Sequence, residues 1–288
     1  MADLKIIRGR IKSVKSIQQV TRAMKMVAAA KLRRAQLNMQ QARPYANRLK
    51  DVLNSLMPQI DRRLLPVLQI RPAVRRVLLV VVTSDRGMAG SFNANLVKAA
   101  ELKIGELGRE QVDLVCIGRK GRDHFTRRDY EPMATHVEFW SELGFQHAME
   151  FGAEIVAAFV SGQVDQVLVF YHRFKNVMVQ EIRQEQLLPL ELEPGKPVGT
   201  SQVLFEPSMP DVVNSLVPRH LNVEVWRYLL ESYASEQAAR MTAMDNATQN
   251  ATEVLEKLQV EFNKARQSGI TREILDIVGG AEALRAAA

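Results

Sequence analysis

Apolar positions along this chain follow different rhythms, and the changes of rhythm mark its parts. Ile7, Ile11, Val14, Ile17, Val20, Met24 and Val27 recur at steps of three or four, one stripe along a helix. Neither glycine nor proline interrupts Arg10 to Arg43, and the Ala28–Ala30 run keeps helix propensity high, so the helix is expected to reach about Met57, before Pro58. Towards the other end, 50 residues lie between Pro218 and Gly269 with no glycine or proline. If continuously helical they span roughly 75 Å. Met241, Met244, Thr248, Ala251, Leu255, Leu258, Phe262 and Ala265 alternate in steps of three and four, the seam of a coiled coil, weakest at Thr248 and Ala251 beside Asn246 and Asn250. Ile270–Val278 carries the helix past Gly269, and Gly279-Gly280 is expected to stop it.

Between these helices the period shortens. Val77–Val82, Val112–Ile117 and Val167–Tyr171 are short, β-branched apolar runs, separated by helical segments at 92–105, 118–127 and 142–160. That alternation predicts a parallel α/β sheet. Val177–Leu187 alternates only partly and reads as a further strand, antiparallel at an edge. Pro189, Pro194, Pro197, Pro207 and Pro210 punctuate an irregular return to the last helix. Each long helix carries a stripe too apolar to leave bare, and pairing the two antiparallel buries both. The expected fold is therefore α/β: two long terminal helices forming an antiparallel coiled coil, with an inserted Rossmann-like α/β domain. Its segments are 1–60, 74–190 and 210–288.

Charge sharpens this division. Residues 1–50 hold 13 Lys/Arg against the single acid Asp3, whereas the remainder carries a net negative charge within a total of +7. A basic segment of this kind suits nucleic acid, an anionic membrane or an acidic protein surface, and also a merely solvated helix face. No apolar run approaches the ~18 residues of a membrane span. The start, MADLKIIRGRIK, has no apolar leader, and Cys116 stands alone, which suits a reducing compartment.

The one stretch that invites a catalytic reading is TSDRGMAGSFNAN (83–95), a glycine-bearing turn after the most strand-like run. It lacks the lysine of a phosphate loop, the first lysine after it being Lys98, and it lacks the close glycine pair of a dinucleotide fingerprint. Gly118-Arg119-Lys120-Gly121 fails the same comparison. Histidines 124, 136, 147, 172 and 220 form no metal-binding spacing, no serine sits in a nucleophile elbow, and Cys116 lies inside an apolar strand. No catalytic, cofactor-binding or metal-ligating residue is expected. A basic coiled coil that binds nucleic acid is the alternative. Against it, no aromatic residue precedes Tyr45 to stack on bases, and no zinc or basic-zipper spacing is present.

Four stretches then resemble one family. RGRIKSVKSIQQVTRAMKMVAAAKLRRAQ (8–36) resembles the N-terminal helix of the γ subunits of rotary (F-type) ATP synthases. SEQAARMTAMDNATQNA (235–251) and FNKARQSGITREILDIVGGAEAL (262–284) resemble that family's C-terminal helix, and SDRGMAGSFN its first strand-to-helix turn. The resemblance covers essentially the whole chain. It implies a central-stalk rotor, non-catalytic on its own, that couples ion-driven rotation of a c-subunit ring to ATP synthesis or hydrolysis at catalytic β subunits. The implied partners are the α and β subunits of an α3β3 ring, the ε subunit and the c ring, with no cofactor and no nucleic acid. Membrane association would run through the c ring, peripherally, at the cytoplasmic face of the bacterial plasma (inner) membrane.

By the same resemblance, Arg22, Met24 and Lys25 lie where the shaft passes acidic hinge loops of the β subunits. Arg266 and Gln267, with Thr271 and Glu273 beside them, meet a β catch loop, and the tip from Ile274 to Ala288 turns in an apolar sleeve. Phe205 and Glu206 belong to the stretch that meets the c ring. Ser91 stands where many relatives have a second glycine, which leaves that turn's backbone to be seen, and one cysteine cannot form the regulatory pair of the chloroplast form.

Overall fold

The computed structural model describes residues 2–56, 65–191, 206 and 208–286. By contact the chain forms two units, Ala28–Arg240 and the pair of segments Met1–Val27 with Met241–Ala288. Two helices run through both: α1, Ala2–Leu56, and α5, Met209–Ala286.

In the larger unit, β1 (Val77–Val82), β2 (Val112–Ile117), β3 (Ala134–His136), β4 (Gln166–Phe174) and β5 (Gln180–Leu188) form one sheet of order β3-β2-β1-β4-β5. The first four are mutually parallel and β5 is antiparallel to β4, as its partial alternation predicted. Helices α2 (Phe92–Leu107), α3 (Arg119–Thr126) and α4 (Phe145–Val160) make the crossovers. Every residue of β1 is buried because both sheet faces are covered. Val77, Leu79 and Val81 pack with Leu96, Val97, Ala100, Ile104 and Phe125 of α2 and α3. Leu78, Val80 and Val82 face the other way, into a core with α4, Leu49–Leu56 of α1 and Val213–Leu229 of α5.

The differences from the expected elements have local causes. β3 is three residues long, too short to show a period. Trp140–Glu142 is a single 3-10 turn, so α4 begins after Gly144 rather than at 142. Pro218 lies inside α5 and Pro44 inside α1. Buried Val213, Val217 and Leu221 flank the first and buried Leu49 and Leu53 follow the second, packing that outweighs one lost backbone bond. Gly279-Gly280 does not end α5, which runs on to Ala286; glycine costs about 1 kcal/mol in a helix but does not by itself terminate one. Of the proline-rich return, residues 192–205 and 207 lie outside the described residues, and Pro210 is already helical.

The smaller unit is an antiparallel helix pair. Lys25 bonds Asp245 at 2.6 Å, Thr21 meets Thr248 at 2.8 Å, and Gln18 donates to Thr252 at 2.7 Å. Arg8 lies 5.5 Å over the Phe262 ring, and Leu4 comes close to Gly269. Positions rising on α1 meet positions falling on α5. The α5 seam is the heptad expected: Met244 and Ala251 are buried, and Thr248, Leu255, Leu258, Phe262 and Ala265 half-buried. On α1 the expected stripe needs correction after Val14. Ile17, Val20 and Val27 are more than half exposed, while Thr21 is buried and Gln18 and Lys25 half-buried. The seam there steps 7, 11, 14, 18, 21, 25, keeping the heptad of its partner helix rather than the apolar residues.

Candidate functional site

In a sheet of this order, ligands bind where the crossovers change direction, outside the carboxyl ends of adjacent strands. Here that point lies at the ends of β1 and β4, and residues 83–93 fill it from within. The first amides of α3, which follows the neighbouring strand β2, are taken by the same turn. Arg119 N donates to the Asp85 carboxylate at 2.7 Å, Lys120 N to Ser84 O at 3.0 Å, and Gly121 N to Thr83 Oγ1 at 2.8 Å. The second Asp85 oxygen accepts Glu138 N at 2.7 Å, so one carboxylate ties three connections together. Ser84 N donates to Asn93 Oδ1 at 2.9 Å, and Asn93 Nδ2 to Ser84 Oγ at 2.8 Å. Gly118 is required by contact: at φ +100°, a Cβ would lie 2.2 Å from Thr83 O. Ser91 has φ −86°, so serine at the helix start carries no left-handed strain.

Helix α5 closes the same region from above. Arg240, nearly buried, donates to Gly87 O at 3.2 Å and pairs with Glu236 at 2.5 Å. Burial raises the Glu236 carboxyl above the usual range, with Arg240 opposing. One and two turns earlier, His172 N donates to Ser232 Oγ and Ser235 Oγ donates to His172 O, both at 3.3 Å. The His172 ring stacks on Phe92 at 4.0 Å, and burial lowers its pKa to about 4. The Cys116 thiol is pushed up to about 12 by burial, the setting of an inert side chain. Among the described residues no cluster of histidine, cysteine and carboxylate groups could hold a metal ion.

The surfaces expected to meet partners lie mostly in the helix pair. Arg22 is exposed, Met24 half-buried, and Lys25 is already paired with Asp245. Arg266, Gln267, Thr271 and Glu273 are exposed, Thr271 Oγ1 bonding only the Gln267 carbonyl among the contacts seen, at 3.0 Å. Gln267 and Thr271 share one face by their spacing of four, and Arg266 and Glu273 share another by their spacing of seven. Exposed Ile270, Ile274 and Ile277 run between those faces. Glu206 is exposed, and Phe205 lies outside the described residues.

Two features were invisible to the apolar pattern. One is the exposed ridge Ile17, Val20 and Val27, which the stripe had assigned to the seam. The other is the buried polar set on α5 from Ser232 to Arg240, because polar residues on a helix ordinarily read as solvated. No described helix is long and apolar enough to cross a membrane.

Comparison with known proteins identifies the family. A family model described as ATP synthase matches residues 3–284. The ATP synthase gamma chain of Prosthecochloris aestuarii is 49% identical over 290 residues, covering 99% of each chain. That of Chlorobaculum tepidum is 47% identical over 291 residues, covering 99% of this chain and all of the relative. Among solved structures, the central stalk and c ring of Tetrahymena thermophila mitochondrial ATP synthase contains a chain 26% identical, with a TM-score of 0.62 over 79% of this chain and 99% of that one. A chain of the Euglena gracilis mitochondrial ATP synthase shares the fold at 20% identity, with a TM-score of 0.69 over 99% of this chain and 95% of that one.

Proposed function

The chain belongs to the ATP synthase gamma-chain family, and from that premise we infer that its paired helices are the rotor shaft of the enzyme's central stalk. It is a rotor subunit, and its work is to couple rotation to ATP synthesis and hydrolysis. The observation that carries this is the pairing itself: two terminal helices, antiparallel over Leu4–Lys25 and Asp245–Gly269, in a chain matched from end to end by gamma chains. We assign no catalysis to the chain alone, because the turn after β1 has no phosphate-loop lysine and its Thr83, Ser84 and Asp85 already hold the first amides of α3. The nucleotide sites then belong to its partners.

The finer assignments extend this reading. Segments 1–60 and 210–288 act as the shaft and 74–190 as its base. An α3β3 ring surrounds the shaft, and the base meets the ε subunit and, through Phe205 and Glu206, the c ring. One asymmetric chain inside a pseudo-threefold ring touches its three neighbours differently, and only such differential contact can bias their conformations. Exposed Arg22 beside half-buried Met24 suits acidic loops of β, with Lys25 contributing what its bond to Asp245 leaves free. Arg266, Gln267, Thr271 and Glu273 flank an apolar ridge, polar edges for a β catch loop around a slippery centre. We place the chain peripherally at the cytoplasmic face of the bacterial plasma membrane, a reading that the lone, buried cysteine suits.

Purification with α and β subunits in a ratio of about 1:3:3 tests the assignment, as does ATPase activity of the isolated chain. Co-purification and no hydrolysis are expected; robust hydrolysis by the chain freed of β would falsify it.

A further inference from the structure

We propose that Ser232, Ser235, Glu236 and Arg240 form a torsional key that fixes the angle of α5 about its own axis against the sheet. This inference rests on the rotor reading above and goes beyond it by naming the groups that resist slip.

Helix α5 changes its mode of packing along its length. From Val213 to Leu229 its buried residues are mostly apolar and join the main core. From Ser232 to Arg240, beside buried Ala234, Gln237 and Ala238, four further polar residues are at most 8% exposed: Ser232, Ser235, Glu236 and Arg240. They fall at i, i+3, i+4 and i+8, a single stripe on a helix. Polar groups in such a place require partners, and each of these has one off or along the helix. Ser232 and Ser235 grip the backbone N–H and C=O of His172 at the end of β4. Glu236 holds Arg240, which reaches Gly87 O in the β1–α2 connection. That connection is itself fastened, since Asp85, two residues earlier, binds the first amide of α3 and Glu138 N.

Apolar burial is non-directional. A helix held by it alone can turn a few degrees with little loss, one side chain replacing another against the core. Hydrogen bonds weaken steeply with misalignment, so a stripe of them resists rotation about the axis. The stripe has three anchors, two on His172 near the end of β4 and one in the β1–α2 connection, and it ends at Arg240, the last α5 residue of its unit. Any twist applied to the remainder of α5 reaches the sheet through these groups first.

The test uses inverted membrane vesicles carrying the assembled enzyme, and compares ATP hydrolysis with ATP-driven ion uptake. Two double variants open the key: Ser232→Ala with Ser235→Ala, and Glu236→Gln with Arg240→Met. Each is expected to keep hydrolysing ATP while ion uptake per ATP falls about fivefold. Arg240→Lys alone, which keeps charge and most of the reach, is expected to retain most of the uptake. Leu221→Ala on the apolar face is the control: it lowers the amount of assembled enzyme but leaves uptake per ATP unchanged. Unchanged uptake per ATP in both doubles overturns the key, and so does an equal fall in Leu221→Ala. Should a double fail to assemble, Ser235→Ala alone decides, because it removes one hydroxyl and no packing. Failure of the unaltered chain to join α and β would overturn the rotor reading itself, a result separate from any of these.

Discussion

The two units of this chain are stabilised by different physics. In Ala28–Arg240, all six β1 side chains are buried between two helical layers, and the core continues through four more strands' worth of neighbours. In the helix pair, the seam holds few buried residues, among them Ile7, Thr21, Met244 and Ala251, and its cross-helix bonds are polar and partly exposed. Meanwhile Ile17, Val20, Val27, Val260, Ile270, Ile274 and Ile277 are at least half exposed. The first unit satisfies its own apolar surface. The second leaves much of it bare, which suits a part whose contacts are with other chains and change as it turns.

The sharpest way to separate the units is to truncate one large aliphatic side chain in each, buried in the sheet and exposed on the helix pair. Leu79→Ala in the sheet should cost about 2–5 kcal/mol, measured by denaturant unfolding of the larger unit's fluorescence. Ile17→Ala removes a similar side chain from the helix pair and should change stability by less than about 0.5 kcal/mol. A comparable loss in both would erase the contrast.

Next in size is a pH effect confined to the larger unit. The buried His172 ring titrates near 4 in the fold, against 6.5 for the ordinary imidazole. Between those values the unfolded chain binds the extra proton, so stability is full above about pH 6.5 and declines as pH falls towards 4, by about 3 kcal/mol at the lower end. His172→Phe keeps the stack on Phe92 and the backbone bonds to Ser232 and Ser235, and should flatten that slope. A slope that survives the substitution would assign it to other groups.

Smaller still is a change at the α1 seam. Thr21 and Thr248 bond each other at 2.8 Å between the helices. Replacing both by valine removes donor and acceptor together, which is close to neutral for a buried pair. Hydrogen exchange of amides 11–25 should stay within about 1 kcal/mol of the unaltered chain. Val20→Thr on the exposed ridge should do nothing to that exchange yet reduce assembly with α and β.

These variants also show what the pattern of residues could reveal. β1, β2 and β4 were legible because β-branched apolar runs have few other uses, and the α5 seam because its repeat continues for more than three heptads. The α1 seam was misread by one position: its apolar residues serve an outside surface as well as the partner helix, and periodicity cannot tell which. β3 has three residues and no period. Ser232–Arg240 was hidden for the opposite reason, since burial of polar groups depends on partners at His172 and Gly87, distant in sequence. The residues expected to meet partners came from family resemblance rather than from any physical signal in Arg22 or Gln267 taken alone.

The central claim is mechanical, and rotation is its most direct measurement. Leu102 on α2 is 62% exposed, whereas the native Cys116 is fully buried with its thiol pushed up to about 12. A probe on Leu102→Cys therefore labels one place. With α and β subunits fixed to a surface and ATP supplied, the probe should turn in one direction, its rate following hydrolysis. Steady hydrolysis by the same complexes with the probe stationary would contradict the account.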